Sequence, residues 1–344
     1  METHDFVGRY VQELPEAVDI EAIVRARPRI GVDPMGGASI EVWGHIAERY
    51  KLDLTVVNRA VDKTFRFVPL DHDGRIRTDC SSPYAMANLI EQASRFDVAV
   101  GNDADADRHG IVTPGQGLLP PNHYLSAAVD YLGHHRPAWP VDASIGMTAV
   151  TSDMIARVAR SVGRPVLEVP VGFKWFVPGL RDHTLAFGGE ESAGACFLAR
   201  DGSTWTTDKD GILLGLLAAE ILAVTGRDPG QAYAAIEQKL GVSYYSRRDA
   251  PASRQVRDRL RGLKSEEWTG SDLAGDPVTS RRTTAIGGGE LGGLKVMTDH
   301  GWFAVRPSGT EDVIKVYAES FRSAEHLERI VAEANAAVAA LVGG

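Results

Sequence analysis

Residues 96–110, FDVAVGNDADADRHG, place an apolar run directly before three aspartates at alternate positions, Asp103, Asp105 and Asp107. The run at 96–100 predicts a strand, so the aspartates follow its carboxyl end, where open α/β sheets place their ligands. Three close carboxylates repel one another unless a cation lies among them, and an all-oxygen set suits a hard ion such as Mg²⁺. Arg108 adds the fixed positive charge that phosphate chemistry often uses. By itself, the stretch fits either a metal-assisted reaction on a phosphorylated substrate or a solvated acidic turn.

The spacing of the aspartates excludes one metal motif and leaves another chemistry open. An EF-hand loop counted from Asp103 needs glycine at its sixth position and glutamate at its twelfth, where this chain has Arg108 and Pro114. An aspartyl-phosphate phosphatase would use Asp103 as the nucleophile and Asp105 as the acid. The loop alone does not exclude the phosphatase, although the remaining motifs fit it poorly.

On both sides of this loop, the first two thirds of the chain alternate segments typical of strands and helices. Strands are predicted at 29–33, 52–58, 97–100, 142–145, 165–169 and 184–187, and helices at 37–50, 84–94, 124–132, 152–161 and 208–225. This alternation predicts mostly parallel α/β sheets. From about Gly241 the pattern changes to a helix at 253–263, strands at 293–298, 301–305 and 313–319, and a terminal helix at 323–341. The last part therefore predicts an α+β domain with a mostly antiparallel sheet.

Length and pattern together predict three domains. The 344 residues exceed what one hydrophobic core usually holds, roughly 250–300 residues. We expect two mixed or parallel α/β domains at 1–136 and 137–240, followed by the α+β domain at 241–344. In the second domain, Thr207 or Asp208 is expected to cap the helix that follows.

The composition limits the classes of partner. A formal net charge of −9 argues against broad binding to nucleic acid or to an anionic membrane, because both are polyanions. Cys80 and Cys196 are too few and too far apart for a disulfide framework or a zinc knuckle. The polar start of the chain lacks a signal-peptide pattern, and the longest apolar stretch, 212–224, contains Glu220 and is too short to span a bilayer. We therefore expect a cytoplasmic protein that binds neither nucleic acid nor membrane.

A loop between two predicted strands of the last domain carries groups suited to a phosphate. Residues 306–312, RPSGTED, contain an arginine, two hydroxyls and consecutive backbone N–H groups that would surround a phosphate. The groups concerned are Arg306, Ser308, Gly309 and Thr310. A capped turn explains the same residues, since Pro, Ser and Gly all favour turns.

Two segments of the middle third suggest contacts to a sugar. Residues 188–194, GGEESAG, would let the backbone approach a ligand while a glutamate accepts hydrogen bonds from paired hydroxyls. A glycine-rich turn with solvated glutamates fits that loop equally well. Lys174 stands in the apolar run 171–176, VGFKWF, where burial would ease its deprotonation and make it an acid, a base or a hydroxyl-orienting group. Its alternative is to extend its ammonium to solvent.

These four loops, in this order, resemble those of the α-D-phosphohexomutase superfamily, and within it the bacterial phosphoglucomutases. The similarity extends through the runs at 32–34, 79–82, 207–211 and 293–299. The resemblance implies that Mg²⁺ is held by Asp103, Asp105 and Asp107. It implies that Arg108 lies beside the transferring phosphoryl group and that Lys174 serves recognition and proton transfer. It also implies that sugar hydroxyls are bound by Glu190 and Ser192, and the non-reacting phosphate by Arg306, Ser308, Gly309 and Thr310.

The activity implied by the resemblance is the interconversion of glucose 1-phosphate and glucose 6-phosphate through glucose 1,6-bisphosphate. The superfamily also has an earlier domain with a T-x-S-H-N/D-P loop whose serine is phosphorylated, and no Ser-His dipeptide occurs in these residues. The chain therefore resembles domains two to four, with the missing N-terminal domain as an expected partner. Two interpretations stay open: a phosphoglucomutase, for which the activity of this chain without the serine loop is an open question, and a non-catalytic sugar-phosphate-binding fragment or pseudoenzyme.

Overall fold

Three main sheets follow one another along the chain in the computed structural model, which describes residues 4–309 and 311–342. The helices are α1 Phe6–Glu13, α2 Ile20–Ala26, α3 Ser39–Tyr50, α4 Ala87–Ile90, α5 Pro121–His135, α6 Asp153–Ser161, α7 Val177–Arg181, α8 Gly211–Thr225, α9 Pro229–Leu240, α10 Arg254–Arg261 and α11 Ala324–Val342. The strands are β1 Ile30–Asp33, β2 Leu54–Val56, β3 Val98–Asn102, β4 His109–Thr113, β5 Gly117–Leu118, β6 Ser144–Thr148, β7 Val166–Val169, β8 Leu185–Gly189, β9 Ala195–Phe197, β10 Tyr244–Pro251, β11 Asp272–Leu273, β12 Asp276–Pro277, β13 Ser280–Thr284, β14 Glu290–Met297, β15 Gly301–Pro307 and β16 Val313–Ser320.

The first sheet is mixed and has the strand order β2-β1-β3-β4-β5. Strand β1 pairs in parallel with β2 and β3, whereas β4 folds back antiparallel to β3. The central strands are buried and rich in β-branched residues such as Val32, Val98 and Val100, as expected for strands covered on both faces. The three aspartates lie in the connection between β3 and β4, at the carboxyl end of β3.

The second sheet is also mixed, with the order β7-β6-β8-β9 and an antiparallel last strand. Helix α8 packs against β3 and β4 of the first sheet and against β9 of the second, and its side chains are buried from Ile212 to Ile221. A helix that is apolar on all sides suits this position between two layers. Because α8 contacts both sheets, one apolar core runs through the first two domains.

The cap of α8 differs from the prediction. The side chain of Asp210 accepts a hydrogen bond from the backbone N–H of Leu213 at 2.9 Å, so Asp210 is the cap and the expectation of Thr207 or Asp208 is wrong. Asp210 also accepts from Tyr10 Oη and Trp205 Nε1, each at 2.9 Å. Helix α8 begins at Gly211, three residues later than predicted. Residues 208–210 lie outside the helix, and Lys209 among them contacts Asp107 of the aspartate loop.

The third sheet is antiparallel throughout, with the order β10-β16-β15-β14-β13. Its apolar face carries Phe303, Val305 and Val316 and is covered by α10 and α11. The predicted fold class, two mixed or parallel α/β domains followed by an α+β domain, is confirmed. Strands β10 and β13 were not predicted, because their sequences are polar and lack an apolar run.

The third sheet is joined to the second domain by buried polar contacts. Glu319 on β16 is fully buried and accepts hydrogen bonds from Trp302 Nε1 at 2.7 Å and from the backbone N–H of Asp153, the first residue of α6, at 2.8 Å. The hydroxyls of Ser152 and Ser243 donate to the same carboxylate. A buried carboxylate is tolerated when it is so fully hydrogen-bonded, and it fixes the interface geometrically.

Smaller differences concern the helices. The segment predicted as a helix at 84–94 forms only α4 and a 3₁₀ turn at Ala93–Arg95. Helices α1, α2 and α9 were not predicted at all. None of the helices within the described part of the chain is both long and apolar enough to cross a lipid bilayer.

Candidate active site

The aspartate loop brings its three carboxylates together. Asp103, Asp105 and Asp107 each offer one oxygen, and these atoms lie within 4.8 Å of one another. Asp103 is buried and Asp105 is exposed, so the cluster opens to solvent on one side. Burial raises the pKa of Asp103, although the Arg108 guanidinium opposes that shift. An all-carboxylate set at this spacing fits a hard divalent cation.

Arg108 is fixed against the same loop. Its Nε donates to Asp103 Oδ2 at 2.5 Å, its backbone N–H donates to Asp103 Oδ1 at 3.0 Å, and its Nη1 reaches Asp79 Oδ1 at 3.3 Å. Asp79 was not among the predicted site residues, although it lies in the run 79–82 that carried part of the resemblance. The two carboxylates orient the guanidinium beside the candidate metal ligands.

The loop at 188–194 packs directly on the aspartate loop. Arg108 and Gly194 form an isolated antiparallel bridge, and the backbone N–H of His109 donates to the carbonyl of Ala193 at 3.1 Å. The side chain of Lys209 packs on Gly194, where a Cβ would lie 2.3 Å from Lys209 Cδ and would push the lysine side chain away. Loops that are far apart in sequence are therefore adjacent in the fold, as a common site requires.

Glu190 lies in the wall beside this contact. Its side chain accepts a hydrogen bond from the backbone N–H of Gly172 at 2.9 Å, and the residue is only 6% exposed. Burial, followed by the charge of Glu191, raises the pKa of Glu190 to about 7. A buried carboxyl with one remaining acceptor oxygen suits paired sugar hydroxyls. Ser192 lies half-buried in the same loop.

Lys174 does not have the buried position considered from the sequence. It is exposed, with Nζ 5.6 Å from the centroid of the Trp175 ring. The 3₁₀ turn Phe173–Trp175 buries Phe173 instead, which directs Lys174 outward next to the segment that contacts Glu190. The argument from burial is wrong, and the roles of Lys174 in recognition and proton transfer stay predictions.

The phosphate-type loop lies at the end of the third sheet. Ser308 is buried; its backbone N–H donates to the Val313 carbonyl at 2.9 Å and its Oγ accepts from the backbone N–H of Glu311 at 3.2 Å. Gly309 is exposed, and Thr310 lies outside the described residues. The Nε of Arg306 is buried without a hydrogen-bond partner in the described part of the chain. A buried donor of this kind is costly to leave unpaired, and an anion would satisfy it.

The same face of the third sheet is turned toward the 188–194 loop. Arg306 and Tyr317 lie on the face opposite the apolar core, and Arg247 on β10 is paired in register with Tyr317. Burial raises the pKa of Tyr317, Glu191 adds to that shift, and both arginines oppose it. Arg247 is a candidate that the sequence did not reveal, although the alternation in YYSRRDA was a usable signal for a strand.

A further contact joins the first domain to the loop that follows β15. Arg77, in the long connection before α4, lies 3.4 Å from the carboxylate of Glu311. Loops from all three sheets therefore border one cleft. It is bordered by the segments 103–108, 188–194 and 306–309 and by Glu311.

Three parts of the chain match the models of one family. They match the phosphoglucomutase/phosphomannomutase alpha/beta/alpha domain II at residues 8–116, alpha/beta/alpha domain III at 120–240 and the C-terminal domain at 265–337. The chain belongs to this family, which confirms the resemblance predicted from its four loops.

Individual relatives agree with this assignment. A phosphoglucomutase of Komagataeibacter xylinus is 53% identical over 339 residues, covering 98% of this chain and 61% of that protein. This chain therefore spans less than two thirds of that relative's length. The Paramecium exocytosis-sensitive phosphoprotein pp63/parafusin, a phosphoglucomutase in its open form, matches with a TM-score of 0.76 at 19% identity, over 100% of this chain and 64% of that one. Aspergillus fumigatus N-acetylphosphoglucosamine mutase, solved with GlcNAc-6P and magnesium, matches with a TM-score of 0.61 at 14% identity, over 96% and 69%. Both structures support the fold alone.

Proposed function

We propose that this chain carries the metal-binding and sugar-phosphate-binding parts of a phosphoglucomutase, which interconverts glucose 1-phosphate and glucose 6-phosphate through glucose 1,6-bisphosphate. The observation that carries the proposal is the convergence of the aspartate loop, the Glu190 loop and the Arg306 loop on one cleft. The 53% identical relative named phosphoglucomutase supports glucose phosphates as substrates.

Binding would use both walls of the cleft. The guanidinium of Arg306, with its buried and unpaired Nε, would hold the non-reacting phosphate together with Ser308. Glu190 would accept hydrogen bonds from neighbouring ring hydroxyls. Anchoring the distant phosphate fixes the reacting hydroxyl in space, and such positioning supplies much of the rate enhancement in phosphoryl transfer.

The metal ligands would be Asp103, Asp105 and Asp107. When bound, Mg²⁺ would neutralise the negative charge of the transferring phosphoryl group. Arg108 adds a second positive charge there, since its guanidinium is held by Asp79 and Asp103 beside the loop.

A second candidate function is binding of the sugar phosphate without turnover. It is favoured by one observation, the absence of a Ser-His dipeptide from these 344 residues, because a phosphoryl-transfer cycle needs an acceptor group on the protein. The two candidates share the cleft and differ only in chemistry.

Calorimetric binding of glucose 6-phosphate, together with a coupled assay of glucose 1-phosphate conversion in the presence of Mg²⁺ and glucose 1,6-bisphosphate, separates the two. Arg306→Ala and Glu190→Ala should each abolish binding. Arg248→Ala is the matched control, because Arg248 pairs with Glu328 of α11, on the other face of the sheet. Binding with turnover supports a mutase, and binding alone supports the second candidate. Unchanged binding in both site variants would refute the proposal that glucose 6-phosphate binds in this cleft.

A further inference from the structure

Lys209 links the aspartate loop to the neighbouring wall of the cleft. Its Nζ lies 2.5 Å from Asp107 Oδ2, and its side chain is 23% exposed. Its stem passes against the backbone of Gly194, where a Cβ would lie 2.3 Å from Lys209 Cδ. The charge of Lys209 also opposes the rise in the pKa of Glu190 on the neighbouring loop.

The segment that delivers this ammonium is held on both sides. The backbone N–H of Asp210 donates to the carbonyl of Ala195 at 3.0 Å, and that of Gly211 donates to the carbonyl of Ala106 at 3.0 Å. Gly211 could not carry a side chain, because its Cβ would lie 2.2 Å from the carbonyl oxygen of Arg108. The backbone that carries Lys209 is therefore fixed relative to the aspartate loop.

The three carboxylates of the aspartate loop differ in how many positively charged side chains they contact. Asp103 is paired with Arg108 and Asp107 with Lys209. Asp105 is exposed, and no ion pair or hydrogen bond of its side chain occurs among the residues that the structure describes. Arg108 is shared with Asp79, and its Nε also lies 3.9 Å from Asp107 Oδ1, so Lys209, at 2.5 Å, is the nearer of the two cations to Asp107.

We propose that Lys209 is a positioning residue that acts as a built-in counter-ion of the aspartate loop. It holds Asp107 while no divalent cation is present and competes with that cation for the same carboxylate. The inference rests on the proposed function, since it assumes that the three aspartates take a divalent cation. With a cation held by the three aspartates, the ammonium of Lys209 would give up its contact with Asp107.

If Lys209 has this role, removing its charge should lower the stability of the metal-free chain and raise its affinity for the cation. Without Lys209, the metal-free loop holds carboxylates that repel one another, so the chain becomes less stable. The cation, in contrast, no longer competes with an ammonium or suffers its repulsion, and it binds more tightly. A merely structural role would lower both the stability and the affinity, because a distorted loop is a poorer ligand.

The test is calorimetric titration of MgCl₂ into the purified chain and its variants, with thermal melting in EDTA. For Lys209→Met we expect about tenfold tighter Mg²⁺ binding, the scale of a unit charge removed from beside a divalent ion near a protein surface, and a lower melting temperature in EDTA. Lys209→Arg keeps the charge and should bind Mg²⁺ as the unmodified chain does. Lys239→Met, at an exposed position on α9, changes the net charge equally and should leave both readouts unchanged.

Each outcome bears on a definite statement. Weaker or unchanged Mg²⁺ binding in Lys209→Met, with tight binding by the unmodified chain, overturns the counter-ion role and leaves the metal site standing. An equal gain in Lys239→Met also overturns it, because the effect would then be one of net charge. No Mg²⁺ binding by the unmodified chain overturns the metal part of the proposed function, and the inference with it.

Discussion

The buried carboxylate of Glu190 destabilises the folded chain at high pH. Replacing it with glutamine should remove this destabilisation and, separately, weaken the binding of glucose 6-phosphate. The carboxyl is 6% exposed, and burial with the nearby Glu191 raises its pKa from the ordinary 4.5 to about 7. Glutamine keeps an oxygen that can accept the Gly172 N–H, so the local fold is preserved. We expect Glu190→Gln to be more stable than the unmodified chain at pH 8 and to lose affinity for glucose 6-phosphate.

The sign follows from proton linkage. Between pH 4.5 and about 7 the folded chain holds a proton on Glu190 that the unfolded chain has already released. Stability therefore falls as the pH rises through this window, and the penalty is complete above it. Each tenfold change in proton affinity is worth about 1.4 kcal/mol, so the rise from 4.5 to about 7 corresponds to about 3 kcal/mol. The gap between Glu190→Gln and the unmodified chain should approach that value at pH 8 and shrink below about 1 kcal/mol at pH 5.

The assay is urea unfolding followed by tryptophan fluorescence at pH 5 and at pH 8. Glu91→Gln, at an exposed position, is the matched control and should show no gap at either pH. Calorimetry on the same samples measures the affinity for glucose 6-phosphate. A gap of equal size at both pH values would refute the reasoning, because it would reflect packing instead of a desolvated carboxylate. A variant that is less stable at pH 8 would refute it as well.

Two further predictions concern buried ion pairs. Arg136 and Glu220 form a pair at 2.9 Å with side chains 3% and 0% exposed; Glu220→Leu should cost about 3–5 kcal/mol in urea unfolding, whereas adding Arg136→Met should restore most of the loss, because the penalty comes from the unpaired buried charge. A double variant as unstable as the single one would contradict this. Lys295 is fully buried and lies 3.1 Å from Glu168 in the second domain; Lys295→Met should cost about 3 kcal/mol and speed amide exchange in β14, and unchanged protection there would contradict the role of this contact.

The position of the aspartate loop could be predicted because its signal is local. An apolar run before polar residues indicates the carboxyl end of a strand, and β3 ends at Asn102, one residue before Asp103. Strand β4 was harder to predict, because residues 109–113 are a short segment with only two large apolar residues, Ile111 and Val112. The clustering of carboxylates follows from three alternate positions in one tight connection.

The polar elements were hidden for a physical reason. Strand β10 lies at the edge of its sheet and carries Tyr245, Arg247 and Asp249 on one face. It therefore lacks the apolar run by which a buried strand is recognised in a sequence. Its polar face is the one that borders the cleft. The residues most useful to a site were therefore the ones that least resemble a strand.

The contacts between loops were out of reach of local patterns altogether. Lys209 and Asp107 are about one hundred positions apart, and their pairing depends on how α8 packs between two sheets. The wrong prediction for the cap has the same origin, because Thr207 and Asp208 suit a cap chemically but precede the true start of the helix. Motif order indicated that these segments belong to one site, but not which atoms meet.

On the proposed function, the distribution of charge in the cleft accounts for how an acidic chain would hold a phosphorylated sugar. The net charge is −9. The cleft face of the third sheet carries Arg306, its register partner Lys315 and Arg247, and Asp249 on the same face pairs with Arg247 and Lys315. The facing wall carries the aspartate loop, whose carboxylates would repel a phosphate. On the proposed function, the two ends of a hexose bisphosphate therefore meet unlike environments: one phosphate is attracted by fixed guanidinium groups, while the other can approach only after a cation has neutralised the aspartates. We therefore expect the anchoring phosphate to bind without a metal and the reacting phosphate to need one.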